Sequence, residues 1–230
     1  ITLNDIVGNN SGIIVFGTLE QESGKLVSTS NEYVQIGQNF GEVKVASGKG
    51  AIAFADIAKF FIYQNSGSGS KNFPASDSAD KDLTIQRLFI TSSSTIEAKA
   101  TGNLTITAEL EVGAGNTFNA NTNTIAVKEV DVNGSGTLDL RNSTLDFSVT
   151  TSGDTLSIEA TGTLTTGNTT ITGHTAQQTP AVLPDDGDFE VVGNVSDLKI
   201  MSGGDLTVIG SVTNCLLQDS TANIRQFFHT

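Results

Sequence analysis

Apolar and polar residues alternate along much of the chain, and the alternation is most regular between residues 83 and 162. Residues 124–132, with the sequence TIAVKEVDV, are a clear example. An alternation with a period of two residues predicts a β-strand that buries one side and exposes the other. Small polar turns, such as NGSG at 133–136, separate the alternating stretches. The pattern therefore predicts a series of short strands joined by tight turns.

The alternating stretches recur at nearly constant intervals of about 20 residues. Each unit contains a long strand, a polar turn and a shorter strand that opens with Thr and an apolar residue. The units are 83–103, 104–123, 124–143 and 144–162, and their short strands open at Thr95, Thr117, Thr137 and Thr155. A unit of this length cannot bury its apolar side alone, so it must pack against the next unit.

The repeat predicts an all-β fold, a single-stranded parallel β-helix with coils of about 20 residues. The residues expected to point inward are Leu104, Ile106, Leu110, Val112, Ile125, Val127, Val130, Val132, Leu145, Phe147 and Val149. A sandwich of antiparallel hairpins is the alternative, because glycine-rich turns between alternating strands also suit hairpins. The near-constant unit length favours the solenoid, since stacked coils require it and hairpins do not.

Outside the repeat, the chain is predicted to divide into three parts. Residues 1–64 are expected to form a small mixed β/α module for attachment or assembly, with strands at 13–16, 33–36 and 42–45 and a helix over 51–64. Residues 65–82 are rich in Gly, Ser and charge, which predicts a poorly ordered linker. The solenoid is expected to cover 83–230, with a protruding loop at 174–188.

Composition and charge narrow the classes of function. The net charge is -13, whereas nucleic acids and anionic membranes bind clustered Lys and Arg, so neither is an expected partner. No apolar run reaches the roughly 20 residues that would span a bilayer. The single cysteine, Cys215, allows no internal disulfide, and it is expected to be a small buried residue.

Four acidic residues are the strongest candidate for a binding site. A shift by one unit of the repeat places Glu109 beside Glu129 and Glu111 beside Asp131, all on the outer side of the predicted coils. Neighbouring carboxylates repel one another unless water, salt or a cation intervenes, and Ca²⁺ prefers such oxygen ligands. We therefore predict a candidate calcium site here, with Arg87 close to Glu109; a solvated acidic face is the alternative.

Other candidate sites have weaker support. Residues 131–136 (DVNGSG) resemble the start of an EF-hand loop, but Asn142 stands where a bidentate Glu is needed. The loop acids Asp185, Asp186 and Asp188 suit solvation as well as metal binding. His174 and His229 lack the spacing of a zinc site. No nucleophile-elbow, Walker A or dinucleotide-binding motif occurs.

The units 104–123, 124–143 and 144–162, together with GDLTVIG at 204–210, resemble the Thr-, Asn- and Gly-rich β-solenoid segments of phage tail fibres and related virion appendages. Bacterial adhesins and S-layer proteins share this style. The resemblance implies an extracellular, non-catalytic structural element on a virion or cell surface. Its expected partners are its own copies, as a trimer or filament, other virion or surface proteins, and host-surface glycans.

An enzyme of the β-helix class is the second hypothesis. Parallel β-helix polysaccharide lyases and hydrolases build their sites on an outer face, which here would carry the four acidic residues. The shortage of aromatic residues for stacking on sugars opposes this hypothesis. The chain has no Trp, and Tyr33 and Tyr63 precede the predicted solenoid.

Overall fold

A computed structural model of the chain describes part of its residues, and nearly all of these lie in β-strands or in the turns between strands. The described residues are 2–3, 12–15, 18–21, 27–28, 33–36, 42–50, 59–62, 68–91, 95–146, 156–158, 162–165, 169–172, 189–196, 199–200, 205–209, 212–213, 216–217 and 223–227. The strands are β1 (Thr2–Leu3), β2 (Gly12–Val15), β3 (Thr18–Gln21), β4 (Val27–Ser28), β5 (Tyr33–Ile36), β6 (Glu42–Val45), β7 (Lys59–Ile62), β8 (Gly69–Phe73), β9 (Leu83–Ile90), β10 (Ile96–Ala100), β11 (Leu104–Val112), β12 (Thr117–Asn119), β13 (Thr124–Val132), β14 (Thr137–Asp139), β15 (Thr144–Asp146), β16 (Leu156–Ile158), β17 (Thr163–Thr165), β18 (Thr169–Thr172), β19 (Phe189–Ser196), β20 (Lys199–Ile200), β21 (Asp205–Ile209), β22 (Val212–Thr213), β23 (Leu216–Leu217) and β24 (Asn223–Phe227).

The strands stack as the coils of a solenoid. A 13-stranded sheet contains β9, β11, β13 and β15 in this order, and a five-stranded sheet contains β8, β10, β12, β14 and β17. Every strand pair among the described residues is parallel. Hairpins would pair consecutive strands in opposite directions. The predicted parallel β-helix is therefore confirmed, and the sandwich of hairpins is excluded.

Each central coil bends once within its long strand. In β9 the alternation of buried and partly exposed residues breaks at Gln86 and Arg87, which are both partly exposed, and resumes at the buried Leu88. The long strand therefore covers two faces of the coil, and the short strand covers a third. In β11 the same corner contains one more residue, which shifts the register between Ile106 and Glu109.

Columns of apolar side chains fill the interior of the coils. Ile125 pairs with Leu104 of the preceding coil and with Leu145 of the following coil. The described residues that were predicted to point inward are all buried, namely Leu104, Ile106, Leu110, Val112, Ile125, Val127, Val130, Val132 and Leu145. Phe147 and Val149 lie outside the described residues. The central core was thus predicted correctly from the alternation alone.

The turn after β11 is closed by a buried asparagine, Asn116, which is 1% exposed. Its side-chain amide donates hydrogen bonds to the backbone oxygens of Gly113, at 3.2 Å, and Ala114, at 3.1 Å. Its Oδ1 accepts a hydrogen bond from the backbone N–H of Ile96 in the preceding coil, at 3.2 Å. One side chain thus satisfies buried backbone groups of two coils.

We expect Asn116→Asp to lower the free energy of unfolding at pH 7 by about 2–3 kcal/mol. A carboxylate has no proton to donate, so it would repel the oxygens of Gly113 and Ala114. This repulsion would raise the carboxyl pKa in the folded state, so stability should recover as the pH falls below about 4. Urea unfolding at both pH values measures the effect. Asn72→Asp, at an exposed position of β8, is the control, and an equal loss in both variants would contradict the role of Asn116.

The fourth coil is longer than predicted. Thr144 pairs with Thr170, so this coil continues beyond residue 162 and ends just before Thr170. Its short strand is β17, in which Thr163 pairs with Thr137. The prediction that Thr155 opens the short strand was wrong, because the strand that follows it, β16, belongs to the sheet of long strands. A Thr followed by an apolar residue suits both kinds of strand.

The N-terminal residues join the same sheet as the central coils. The strands β2, β5 and β7 precede β9 in the 13-stranded sheet. The helix predicted over 51–64 was wrong for Lys59–Ile62, which form β7, with Phe60 and Ile62 0% and 1% exposed. Aromatic and β-branched residues between two neighbouring strands favour this outcome. Residues 51–58 and 63–64 lie outside the described residues.

The linker predicted at 65–82 was wrong for the residues that the structure describes there, 68–82. They include β8, which pairs with β10, and the buried residues Phe73 and Ala75, which are 0% and 3% exposed. Because the segment is rich in Gly and Ser, the two buried apolar residues were not recognised in the sequence. The division of the chain into units at 1–64 and 83–230 stays a prediction.

Candidate functional site

The four predicted acidic residues come together on the outer side of β11 and β13, and we call them the acidic patch: Glu109, Glu111, Glu129 and Asp131. Glu109 pairs in register with Glu129, and Glu111 pairs with Asp131. Their neighbours in the strands point inward and are 0–1% exposed, namely Leu110, Val112, Val130 and Val132. Because parallel strands lie about 4.8 Å apart, this register places like charges at neighbouring positions.

Arg87 adds a positive charge next to the acidic patch, as predicted. It pairs with Glu109 in the register of β9 and β11, and its Nε lies 3.6 Å from Oε2 of Glu109. The side chains are 38% and 24% exposed. Because solvent screens a pair with this exposure, the pair contributes little to stability. Its effect is mainly on the local charge.

The environment of Glu109 changes the titration of its carboxyl group. Burial raises the pKa of the Glu109 carboxyl above its ordinary value, and the negative charges of Asp131, Glu111 and Glu129 raise it further. Arg87 acts in the opposite direction. Both burial and like charges disfavour the ionised form of a carboxyl. Glu109 therefore takes up a proton at a higher pH than an exposed glutamate does.

A carboxyl with a raised pKa beside other carboxyl groups suits proton transfer, although acidic clusters without chemistry produce the same shift. Metal binding needs several ligands that converge on one point. Within the part of the chain that the structure describes, no three His, Cys, Asp or Glu side chains converge in this way. The geometry gives calcium no support, and the calcium site stays a prediction from sequence.

An aromatic residue beside the acidic patch was missed in the sequence. Phe89 pairs in register with Glu111 and is partly exposed, between the buried Leu88 and Ile90. The alternation of β9 contained this signal, since neighbours of inward residues point outward. Tyr33 was placed outside the solenoid, and this was wrong, because its strand β5 belongs to the 13-stranded sheet.

The remaining candidate sites from the sequence either form an ordinary turn or lie outside the described residues. The stretch that resembles an EF-hand forms the end of β13 and a tight turn, in which the Gly136 N–H donates to the Asn133 oxygen at 2.9 Å. Gly134 has a φ of 53°, as an Asn-Gly turn requires. Several predicted features lie outside the described residues, namely the loop 174–188 with Asp185, Asp186 and Asp188, and also His174, His229, Tyr63 and Cys215.

We expect Glu109→Gln to raise the free energy of unfolding at pH 7 by about 0.5–1 kcal/mol. The pKa of Glu109 is raised on folding, so its stabilising form is the protonated one, which is lost as the pH rises through the folded-state pKa. The gain should vanish below about pH 4. Urea unfolding against pH measures it, with Glu20→Gln on β3 as the exposed control. A loss of stability at pH 7 would mean that the pair with Arg87 outweighs the repulsion.

Comparison with known proteins adds no further assignment. No protein-family model, no curated protein and no solved structure matches this chain. Within the described strands and turns, no helix is long and apolar enough to cross a bilayer. What the protein does must therefore be inferred from its coils and its outer faces.

Proposed function

We propose that the protein is a non-catalytic structural element of an extracellular assembly, in the manner of a phage tail fibre or another virion appendage. It acts there as a spacer or as an element that binds the host surface. The observation that carries the proposal is the parallel pairing that continues through β5, β7, β9, β11, β13, β15 and β18 in one sheet. Each coil contacts mainly its neighbours, so repetition extends the molecule in one direction, as a spacer requires.

The outer faces support binding to other surfaces. On the five-stranded sheet, Thr117, Thr137 and Thr163 pair in register and form a column of hydroxyl-bearing residues. Hydroxyl groups donate and accept hydrogen bonds, so they suit glycans and the polar surfaces of proteins. The expected partners are further copies of the chain, as a trimer or filament, other virion or surface proteins, and host-surface glycans.

A bacterial surface adhesin or S-layer component is a variant of the same proposal. It predicts the same elongated shape but a different location. Immunogold labelling separates the two, since antibodies against the chain would decorate either virions or the surface of bacterial cells. Labelling confined to the interior of cells would contradict both.

Electron microscopy of negatively stained protein, with light scattering, tests the proposal. We expect elongated particles or filaments with a mass that is a multiple of the 23.9 kDa chain. A binding assay on whole cells and on glycan arrays then tests the host-surface role. Compact monomers at every concentration, with no retention on any surface, would refute the proposal.

A polysaccharide lyase or hydrolase is the second candidate, and one observation favours it. The acidic patch combines a carboxyl of raised pKa, Glu109, with the guanidinium of Arg87 at 3.6 Å. Phe89 is in register with Glu111 beside them and offers an aromatic ring to a sugar. A carboxyl of raised pKa, a second carboxyl group from Glu129 and an aromatic ring thus lie on one outer face.

Incubation with acidic polysaccharides, with and without Ca²⁺, tests this candidate. New reducing ends or unsaturated sugars would establish an enzyme and overturn the structural proposal. Glu109→Gln and Glu129→Gln should then abolish the activity, whereas Glu20→Gln, at an exposed position of β3, should not. Absence of cleavage across neutral and acidic substrates would reject the enzyme.

A further inference from the structure

The pairing of strands between successive coils is interrupted between β6 and β8. On one side the ladder is continuous, since β7 pairs with β5 before the junction and with β9 after it, the latter through Phe60–Leu88 and Ile62–Ile90. On the other side β6 lies against β8. Among the described strands, however, β6 belongs to a two-stranded sheet with β3, and β8 is the terminal strand of the five-stranded sheet. Among the strands that the structure describes, a ladder therefore joins the coils before and after this junction on one side only.

Residues 75–80, which we call the strap, bridge the other side of the junction. The Ala75 N–H donates to the Val43 oxygen at 2.8 Å, and the Asp80 N–H donates to the Val45 oxygen at 3.0 Å. In a regular parallel ladder these oxygens would bond to the next strand. The strap thus takes the place of the next strand along β6.

A buried side chain of the strap completes this contact. Ser78 is 5% exposed, and its Oγ accepts a hydrogen bond from the Val45 N–H at 3.2 Å. The same hydroxyl donates a long hydrogen bond, 3.5 Å, to the Val43 oxygen. The hydroxyl thus satisfies the Val45 N–H, whereas the Val43 oxygen already accepts from the Ala75 N–H.

Two acidic side chains hold the strap to the segment that follows β6. One carboxylate oxygen of Asp80 accepts hydrogen bonds from the backbone N–H groups of Lys49, at 2.8 Å, and Gly50, at 3.0 Å. Asp77 forms an ion pair of 2.5 Å with Lys44. Asp77 is exposed, so its ion pair is a weak contact. The strap is therefore attached through these polar contacts and through the buried Ala75, which is 3% exposed.

The core at the junction also contains a charged residue. Lys71 on β8 is only 9% exposed and pairs with the fully buried Ala98. Burial lowers the pKa of the Lys71 amine, while the carboxylate of Glu42 on β6 raises it. An amine in this inward position contributes less to apolar packing than the aliphatic residues of the central columns do. The Lys71 amine thus places a polar group in a core that also contains Val43 and Phe73.

We propose that the junction between β6 and β8 is a latched hinge. The β7–β9 ladder is the pivot, and the strap is the latch. Opening the latch breaks the hydrogen bonds and the ion pair of the strap and uncovers Val43 and Val45, whereas opening the pivot would break a strand ladder and expose the buried side chains of Phe60 and Leu88. When the strap detaches from β6, the coils before β7 rotate about the pivot while the central coils stay intact. The hinge is a property of the fold and does not depend on the proposed function.

Hydrogen exchange of Ser78→Ala tests the latch. The informative amides are those of Ala75 and Asp80, because they donate to backbone oxygens and the substitution removes neither the donor nor the acceptor. We expect their exchange to accelerate roughly five- to tenfold. The amides of Leu88, in the pivot, and Val130, in the central coils, should keep their rates.

Ser143→Ala is the matched control for this substitution. Ser143 is 4% exposed, and its Oγ accepts from the Thr122 N–H at 3.0 Å and donates to the Arg141 oxygen at 3.2 Å. It should leave the exchange of the strap unchanged. Equal acceleration of strap and central amides in Ser78→Ala would mean global destabilisation and would overturn the proposal. Unchanged rates in the strap would overturn it as well.

Distances between spin labels test the rotation itself. Labels replace the exposed residues Glu20 on β3 and Ser135 in the turn after β13, in a background with Cys215→Ala. We expect the double variant Ser78→Ala/Asp80→Ala to broaden the distance distribution and to extend it to longer distances. A distribution as narrow as that of the unsubstituted strap would overturn the hinge.

Discussion

Phe118→Ala is expected to lower the free energy of unfolding by about 3–5 kcal/mol. Phe118 is 0% exposed, and its strand pairs with those of the neighbouring coils, where Ala98 and Leu138 occupy the paired positions. Because Ala98 is small, the ring of Phe118 must fill much of the space on this side of the core. The ladders on both sides hold the coils at a fixed spacing of about 4.8 Å, so they cannot collapse into the cavity. Urea unfolding followed by circular dichroism measures the loss.

Phe89→Ala is the control for this substitution. It removes the same side chain from the outer side of β9, where the ring is partly exposed. We expect a loss of about 1 kcal/mol, because truncation at a partly exposed position leaves no closed cavity. Equal losses in the two variants would show that the interior of the coils is not close-packed at Phe118.

Gly102→Ala is expected to destabilise the fold by about 3 kcal/mol or more. A Cβ atom at this position would lie 2.3 Å from the backbone oxygen of Lys81 and 2.4 Å from its carbonyl carbon. The backbone of the preceding coil cannot move away freely, since the Leu83 N–H donates to the Asn103 oxygen at 2.9 Å. The close approach of two coils therefore requires glycine. Thermal and urea unfolding measure the effect.

Gly115→Ala separates close approach from backbone conformation. Gly115 has a φ of 75°, but a Cβ atom there would meet nothing within 4 Å. The cost should be the backbone strain of a left-handed residue alone, about 1 kcal/mol. If Gly115→Ala were as damaging as Gly102→Ala, the contact between coils would not be the reason for glycine at position 102.

The parallel stack and its register were predictable because they follow from the period of the sequence. The pairing of Ile125 with Leu145 follows from a shift by one unit of the repeat, and the same shift pairs Glu109 with Glu129. A coil that is one residue out of register would turn its apolar residues outward. The sequence pattern therefore specifies both the inward columns and the position of the acidic patch opposite them.

The repeat period alone gave wrong positions for the short strands where a coil carries extra residues. The coil that begins at Thr144 continues until the next coil starts at its partner Thr170, and its short strand begins only at Thr163. In the first unit the short strand is also displaced, since Glu97, and not Thr95, pairs with Thr117. Insertions at the corners of a coil leave the stacking intact, so local sequence does not reveal which strand they lengthen.

At the acidic patch, the sequence identified the residues but not the balance of their interactions. Glu109, Glu129 and Arg87 were placed together by their register. The extra residue at the corner of β11, before Glu109, was not predicted. Burial is the first cause of the raised pKa of Glu109, and burial depends on how neighbouring coils cover the side chain.

The sequence by itself determined that this chain stacks in parallel coils, which residues face inward, and which acids meet outside. These features depend on the alternation of apolar residues and on its repeat, and both are local properties of the chain. Only the tertiary structure decided that Lys59–Ile62 form a strand, that Phe73 and Ala75 anchor the strap, and that β6 is bonded to a loop. These outcomes depend on which neighbour satisfies each buried backbone group, and that neighbour lies about 30 residues away in the sequence.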